Sequence, residues 1–89
     1  MPPERLSKAQ AVLLGNALGG GGSAGHRFEA IAAVLAEAGF DDIGAPGVPH
    51  DLAAGYRSWL EGGTVPEDES VVEAMEELAA WLIEMRRLP

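Results

Sequence analysis

Residues 11–28 read AVLLGNALGGGGSAGHRF. An apolar octet runs into four glycines, and a second patterned stretch opens after Ser23. If residues 11–18 are a strand, the glycines form a strand–loop–helix turn whose backbone N–H groups can hold a phosphate at the helix start. If they are a helix, the glycines join two halves of a helical hairpin. The residues favour a helix, over 7–18. Ser7 and Gln10, three apart, fit a capping box, with Leu6 in front placed to staple onto Ala11. The octet is rich in Leu and Ala and poor in β-branched residues. Ala9, Leu13 and Ala17 are expected to form its inward stripe, with Leu14 and Leu18 beside them, and Gly19 to end it.

The reading extends to a second helix over 24–38, with Ser23 as N-cap. Phe28, Ile31, Ala32, Leu35 and Ala38 share its inner face, and Gly39 with Phe40 supplies a left-handed stop and its hydrophobic contact. The stretch DDIGAPGVP that follows is a loop by its Gly and Pro content. A third helix is expected over 49–61, opening at Pro49 and stopped by Gly62 and Gly63. Its apolar face is Leu52, Ala53, Tyr56, Trp59 and Leu60. Tyr56 and Trp59 are read as core, with the alternative that they and Arg57 anchor a partner. The last helix spans 66–88, with Glu67, Asp68 and Glu69 at its start and Arg86 and Arg87 in its last turn, as the helix dipole favours. Val71, Met75, Leu78, Leu82 and Met85 form one apolar row, and Val72, Ala79 and Ile83 a second. Trp81 lies off both. No strand pattern persists anywhere. The expectation is an all-α, compact four-helix domain with Gly-rich connectors, a single domain over 1–89.

Composition narrows the function. The formal net charge is -8. Eight of the acids fall between residues 61 and 84, where there is no base, and the remaining six acids balance the six bases. Phosphate-driven nucleic-acid binding needs clustered Lys and Arg; here the bases are scattered, so no nucleic-acid partner is expected. With no Cys, thiolate metal ligation and thiol nucleophiles are excluded. No apolar run approaches the ~20 residues that cross a bilayer, and the N-terminus lacks a signal-peptide pattern. The expectation is a cytoplasmic protein that uses no membrane. The Ala, Gly and Arg bias suggests a GC-rich bacterium or its phage.

Candidate chemistry is sparse. Gly21, Gly22, Ser23, Gly25, His26 and Arg27 are weak candidates for an anion site. Gly20 and Gly25 match the spacing of the two fixed P-loop glycines, but His26 and Arg27 stand where that motif needs Lys and then Ser or Thr. His26 and His50, with Asp41, Asp42 and Asp51, lack any established ligand spacing, so no metal is expected. The serines have no nucleophile-elbow setting, and the acids lie on what reads as a solvated helix face. No catalytic residue and no cofactor are assigned, and the chain is not expected to be an enzyme.

The 22 residues GGGGSAGHRFEAIAAVLAEAGF resemble the first Gly-rich loop and helix of two-domain nucleotide-sugar glycosyltransferases. That resemblance would imply a nucleotide site at the loop. Those enzymes are built from two Rossmann domains several times this length, and no second strand follows Phe40, so the match is read as convergence of composition. The functional expectation is a small acidic interaction module: an adaptor, a regulatory partner or an inhibitor of a basic surface. Trp81, Glu73, Glu76, Glu77 and Glu84 are its candidate contact residues, and a second copy of the chain is a further candidate partner, as a homodimer through the last helix. The alternative is a phosphate- or nucleotide-binding element using loop 19–25, enzymatic with a partner chain. Helix or strand at residues 11–18 separates the two.

Overall fold

Residues 11–18 are helical. The structure, a computed structural model, describes residues 6–41, 43 and 47–87. Among them are four helices and no strand: α1 (Lys8–Gly19), α2 (Ala24–Glu37), α3 (His50–Gly62) and α4 (Glu69–Arg87). The all-α four-helix reading holds, with boundaries shifted by one to three residues.

Local chemistry sets those boundaries. The capping box forms as expected: the Ser7 N–H donates to Gln10 Oε1 at 2.8 Å, and the Gln10 N–H to Ser7 Oγ at 3.1 Å. At α2 the Ser23 hydroxyl accepts from the His26 N–H at 3.2 Å. The α2 exit is a two-bond left-handed stop: Phe40 N–H reaches Leu35 C=O, and Gly39 N–H reaches Ala36 C=O, both at 3.0 Å. Pro49 is the N-cap of α3 rather than its first residue, and Gly63 closes that helix in the left-handed conformation. α4 starts at Glu69, three residues later than the acidic run suggests. Asp68 is the reason. Its carboxylate accepts from both the N–H and the hydroxyl of Ser70, so it caps the helix and leaves Pro66 and Glu67 in the connector. Those bonds also hold the Asp68 carboxyl below its usual range.

α2 and α4 form a central pair. Each packs on every other helix, whereas α1 and α3 do not touch each other. The fold is therefore a layer of α2 and α4 with α1 on one side and α3 on the other. One cluster of side chains fills it: Leu14 from α1, Phe28, Ile31 and Leu35 from α2, Leu52 and Tyr56 from α3, and Val72, Met75 and Ala79 from α4. The inner face of α2 is as expected. The stripe of α1 is not. Leu14 is wholly buried, while Leu13 is 55% exposed and Ala9 lies in solvent, so the true face is Leu14 with Ala11, Ala17 and Leu18. Apolar residues lie all round α1, so periodicity alone could not choose among its faces. In α4 the buried stripe is Val71, Val72, Met75, Ala79 and Leu82, with Leu78 and Ile83 partly covered. Both apolar rows of α4 are thus largely enclosed by the other three helices.

The α3–α4 connector threads between two glycines. A methyl group on Gly25, in the first turn of α2, would lie 2.6 Å from Glu67 Oε1 and 2.9 Å from Val65 Cγ2. One on Gly55, in α3, would lie 3.4 Å from Pro66 Cγ and 3.7 Å from Phe28 Cζ. Val65 and Pro66 are half-buried in this slot. Tyr56 makes a second tie, its hydroxyl donating to the Phe40 carbonyl. Burial pushes its phenol up to about 12, and Asp41 adds to the shift.

Gly25→Ala is expected to destabilise the fold by about 1–3 kcal/mol, because crowding against Val65 outweighs the gain in helix propensity. Gly15→Ala should do the reverse by about 0.5–1 kcal/mol, since nothing lies within 4 Å of the added methyl. Urea midpoints at constant slope give both values. Tyr56 predicts the alkaline limit. Its protonated form is favoured in the folded chain, so this contribution is complete below pH 10 and is lost as pH rises from there towards about 12. Tyr56→Phe should lower stability at pH 7 by about 1 kcal/mol and flatten the pH 10–12 decline, as read from urea unfolding at stepped pH.

Candidate functional site

The glycine loop comes first. Residues 20–23 make a four-residue turn between α1 and α2. Only one glycine of the run is needed for its backbone: Gly22 has φ +120°, and the His26 ring packs over it, 2.8 Å from where a Cβ would sit. Gly21 has open space around it. The turn does lead into a helix N-terminus, and a carboxylate of the chain itself lies close beside it. Glu67 carries its carboxylate against the first turn of α2 at Gly25. Arg27 points away to α4, where it pairs with Glu69 and, at 3.5 Å, with Glu76. The six residues considered for an anion site are therefore adjacent in space, with their cation engaged by two carboxylates and a third carboxylate at the helix start. Sequence spacing offered no signal for Glu67, because Glu67 and Gly25 lie 42 residues apart.

The second candidate is the outer side of α4. Trp81 is 56% exposed. Glu73, Glu77 and Glu84 are also exposed, and with Trp81 they share the side of the helix turned from the core. Glu76 does not join them. It is half-buried on the α2 side with Arg27. Beside Trp81, a cleft of about 220 Å³ opens between the start of α3 and the middle of α4. Val48, Pro49, Leu52, Ala74 and Leu78 line it, with Glu77 as its acid. Leu78 and Glu77 lie three and four residues before Trp81, so the indole stands one helical turn along from the cleft. Spacing within one helix revealed Trp81 and the acids. The cleft needed the packing of α3 on α4, which the sequence did not disclose.

The other candidates sit apart. Tyr56 is core, whereas Trp59 is half-buried at its edge. The two rings stack with centroids 6.4 Å apart, and the Trp59 indole N–H donates to Glu29 at 3.3 Å. His26 and His50 lie in solvent at the starts of α2 and α3. Asp42 is outside the described residues. Among the described residues no group of three His, Asp or Glu could hold a metal ion, and no helix is long and apolar enough to cross a membrane.

Comparison with known proteins adds no assignment: no family model, no curated protein and no solved structure matches the chain.

The engaged Arg27 and the carboxylate at Gly25 generate a prediction. Calorimetric titration with ATP, GTP or a nucleotide sugar is expected to give no heat above dilution. Micromolar binding that disappears in Gly22→Ala would assign the loop to an anion after all.

Proposed function

We propose that the chain is a non-catalytic, acidic α-helical interaction module that binds a basic segment of another protein across the outer face of α4. The observation that carries this reading is Trp81, a large aromatic side chain left in solvent on a helix side that also exposes Glu73, Glu77 and Glu84. Aromatic anchors ringed by polar residues dominate the energetics of protein interfaces. The cleft beside it, lined by Val48, Leu52, Ala74 and Leu78, offers room for one apolar side chain of the partner. Glu73, Glu77 and Glu84 would meet Lys or Arg around that anchor and speed encounter with a basic surface. The reading places the chain in the cytoplasm of a bacterium, as an adaptor, regulator or inhibitor, and includes no cofactor, nucleic acid or membrane.

The test uses a defined probe, an amphipathic helical peptide of Leu and Lys, followed by NMR titration. Shift changes are expected at residues 74–85 and 48–52, stronger at low salt. Trp81→Ala and Glu77→Lys should each weaken binding about ten-fold. Shifts spread evenly over every acidic residue, with Trp81→Ala inert, would reduce the effect to non-specific charge attraction and sink the proposal.

A further inference from the structure

We propose that α1 is a second interaction surface, independent of the α4 face, and that its occupant is another copy of this chain, paired antiparallel across a two-fold axis between Val12 and Leu13. The first observation is exposure. Val12 is 57% and Leu13 55% exposed, although α1 buries Leu14 completely. The outward side also carries Ala9, Gly15 and Asn16. A helix that is apolar all round normally has cover on every side, and among the described helices only α2 and α4 pack on α1.

Charge identifies the occupant. Lys8 is the one charged residue in α1. A basic partner finds no acid there, whereas a second copy, itself at net charge -8, finds no like charge. Pairing through the outer side of α4 would instead set Glu73, Glu77 and Glu84 against their own counterparts, which opposes association. The antiparallel sense follows from the helix ends. It sets Ala9 opposite the copy's Asn16 and Val12 opposite its Leu13. It also brings Lys8 towards the copy's last turn, which has no base of its own and is the negative end of the helix dipole.

Size sets the strength. Twelve residues make α1 about 18 Å long. One face of it falls well short of the roughly 800 Å² per partner of a standard interface. The dimer is therefore weak, with a dissociation constant on the order of 100 µM. Since α1 and α3 lie on opposite sides of the α2–α4 layer, pairing through α1 leaves the cleft between α3 and α4 open.

Sedimentation equilibrium from about 10 µM to about 1 mM, a range that brackets this strength, tests the proposal. The average mass should rise towards twice the chain mass. Leu13→Glu and, as a second variant, Val12→Lys should each raise the dissociation constant at least about ten-fold, with circular dichroism confirming that these exposed substitutions leave the helices intact. Lys8→Glu should weaken the dimer less and in a salt-dependent way. Trp81→Ala should leave it unchanged. A wild-type chain still monomeric at the top concentration overturns the proposal. So does undiminished pairing of Leu13→Glu and Val12→Lys, or loss of pairing in Trp81→Ala. Peptide binding at α4 is read separately, so either surface can fail without the other.

Discussion

The pairing of α2 with α4 is the contact on which the rest of the structure depends. These two helices alone touch all the others. Their relative placement is fixed at one end by a close approach: the segment Val65–Glu67 lies against the first turn of α2, where Gly25 has no side chain to hold it off. Gly55 receives Pro66 on the other flank. With the connector seated between them, α4 must start beside α2, and Asp68 caps it there. Arg27 then spans the two helices to reach Glu69 and Glu76. It is mostly covered, its side chain retaining 19% of its accessibility, and Glu76 keeps 26%. A partly buried pair of this kind adds little net stability, because desolvation offsets much of the attraction. Its effect is on register: a shift of α4 along α2 would leave a covered guanidinium without a carboxylate.

That arrangement sorts the acids of α4 into two groups. Glu69 and Glu76 are turned towards α2 and serve the fold. Glu73, Glu77 and Glu84 are turned outward, beside Trp81. The same geometry draws the chain's own charges around the glycine loop. A helix N-terminus attracts anions, and here the Glu67 carboxylate packs beside the first turn of α2 at Gly25. The position that looks most like a ligand site in the sequence is built into the packing of two connectors.

Much of the fold was legible because it is written in short-range chemistry. Ser7 with Gln10, Ser23, and Gly39 with Phe40 each make the bonds their spacing implies, and the Phe28–Leu35 face is buried as periodicity requires. Legibility ended where the decision belonged to a neighbour. On α1 the choice between Leu13 and Leu14 depends on where α2 and α4 stand, since the helix offers apolar residues in every direction. On α4 both apolar rows are largely buried because three helices, not one, surround it, and only Leu78, Ile83 and Met85 stay partly exposed. Trp81 could be marked as off the stripe, but its exposure depends on how far α3 extends along α4. Long-range juxtapositions such as Gly25 with Glu67 leave no trace in local spacing.

The layered arrangement gives the two sides of the molecule different chemistry. α1 is nearly uncharged, whereas α4 carries five glutamates, three of them on its outward side. Exposed aliphatic side chains such as Val12 and Leu13 ordinarily invite aggregation. A chain at net charge -8 repels its copies at most orientations, and the nearly uncharged α1 face is an approach without that cost. An association confined to one self-complementary patch closes after two copies and cannot propagate. Under the two proposals the acidic side would do two things at once: attract opposite charge, and limit how copies of the chain meet each other.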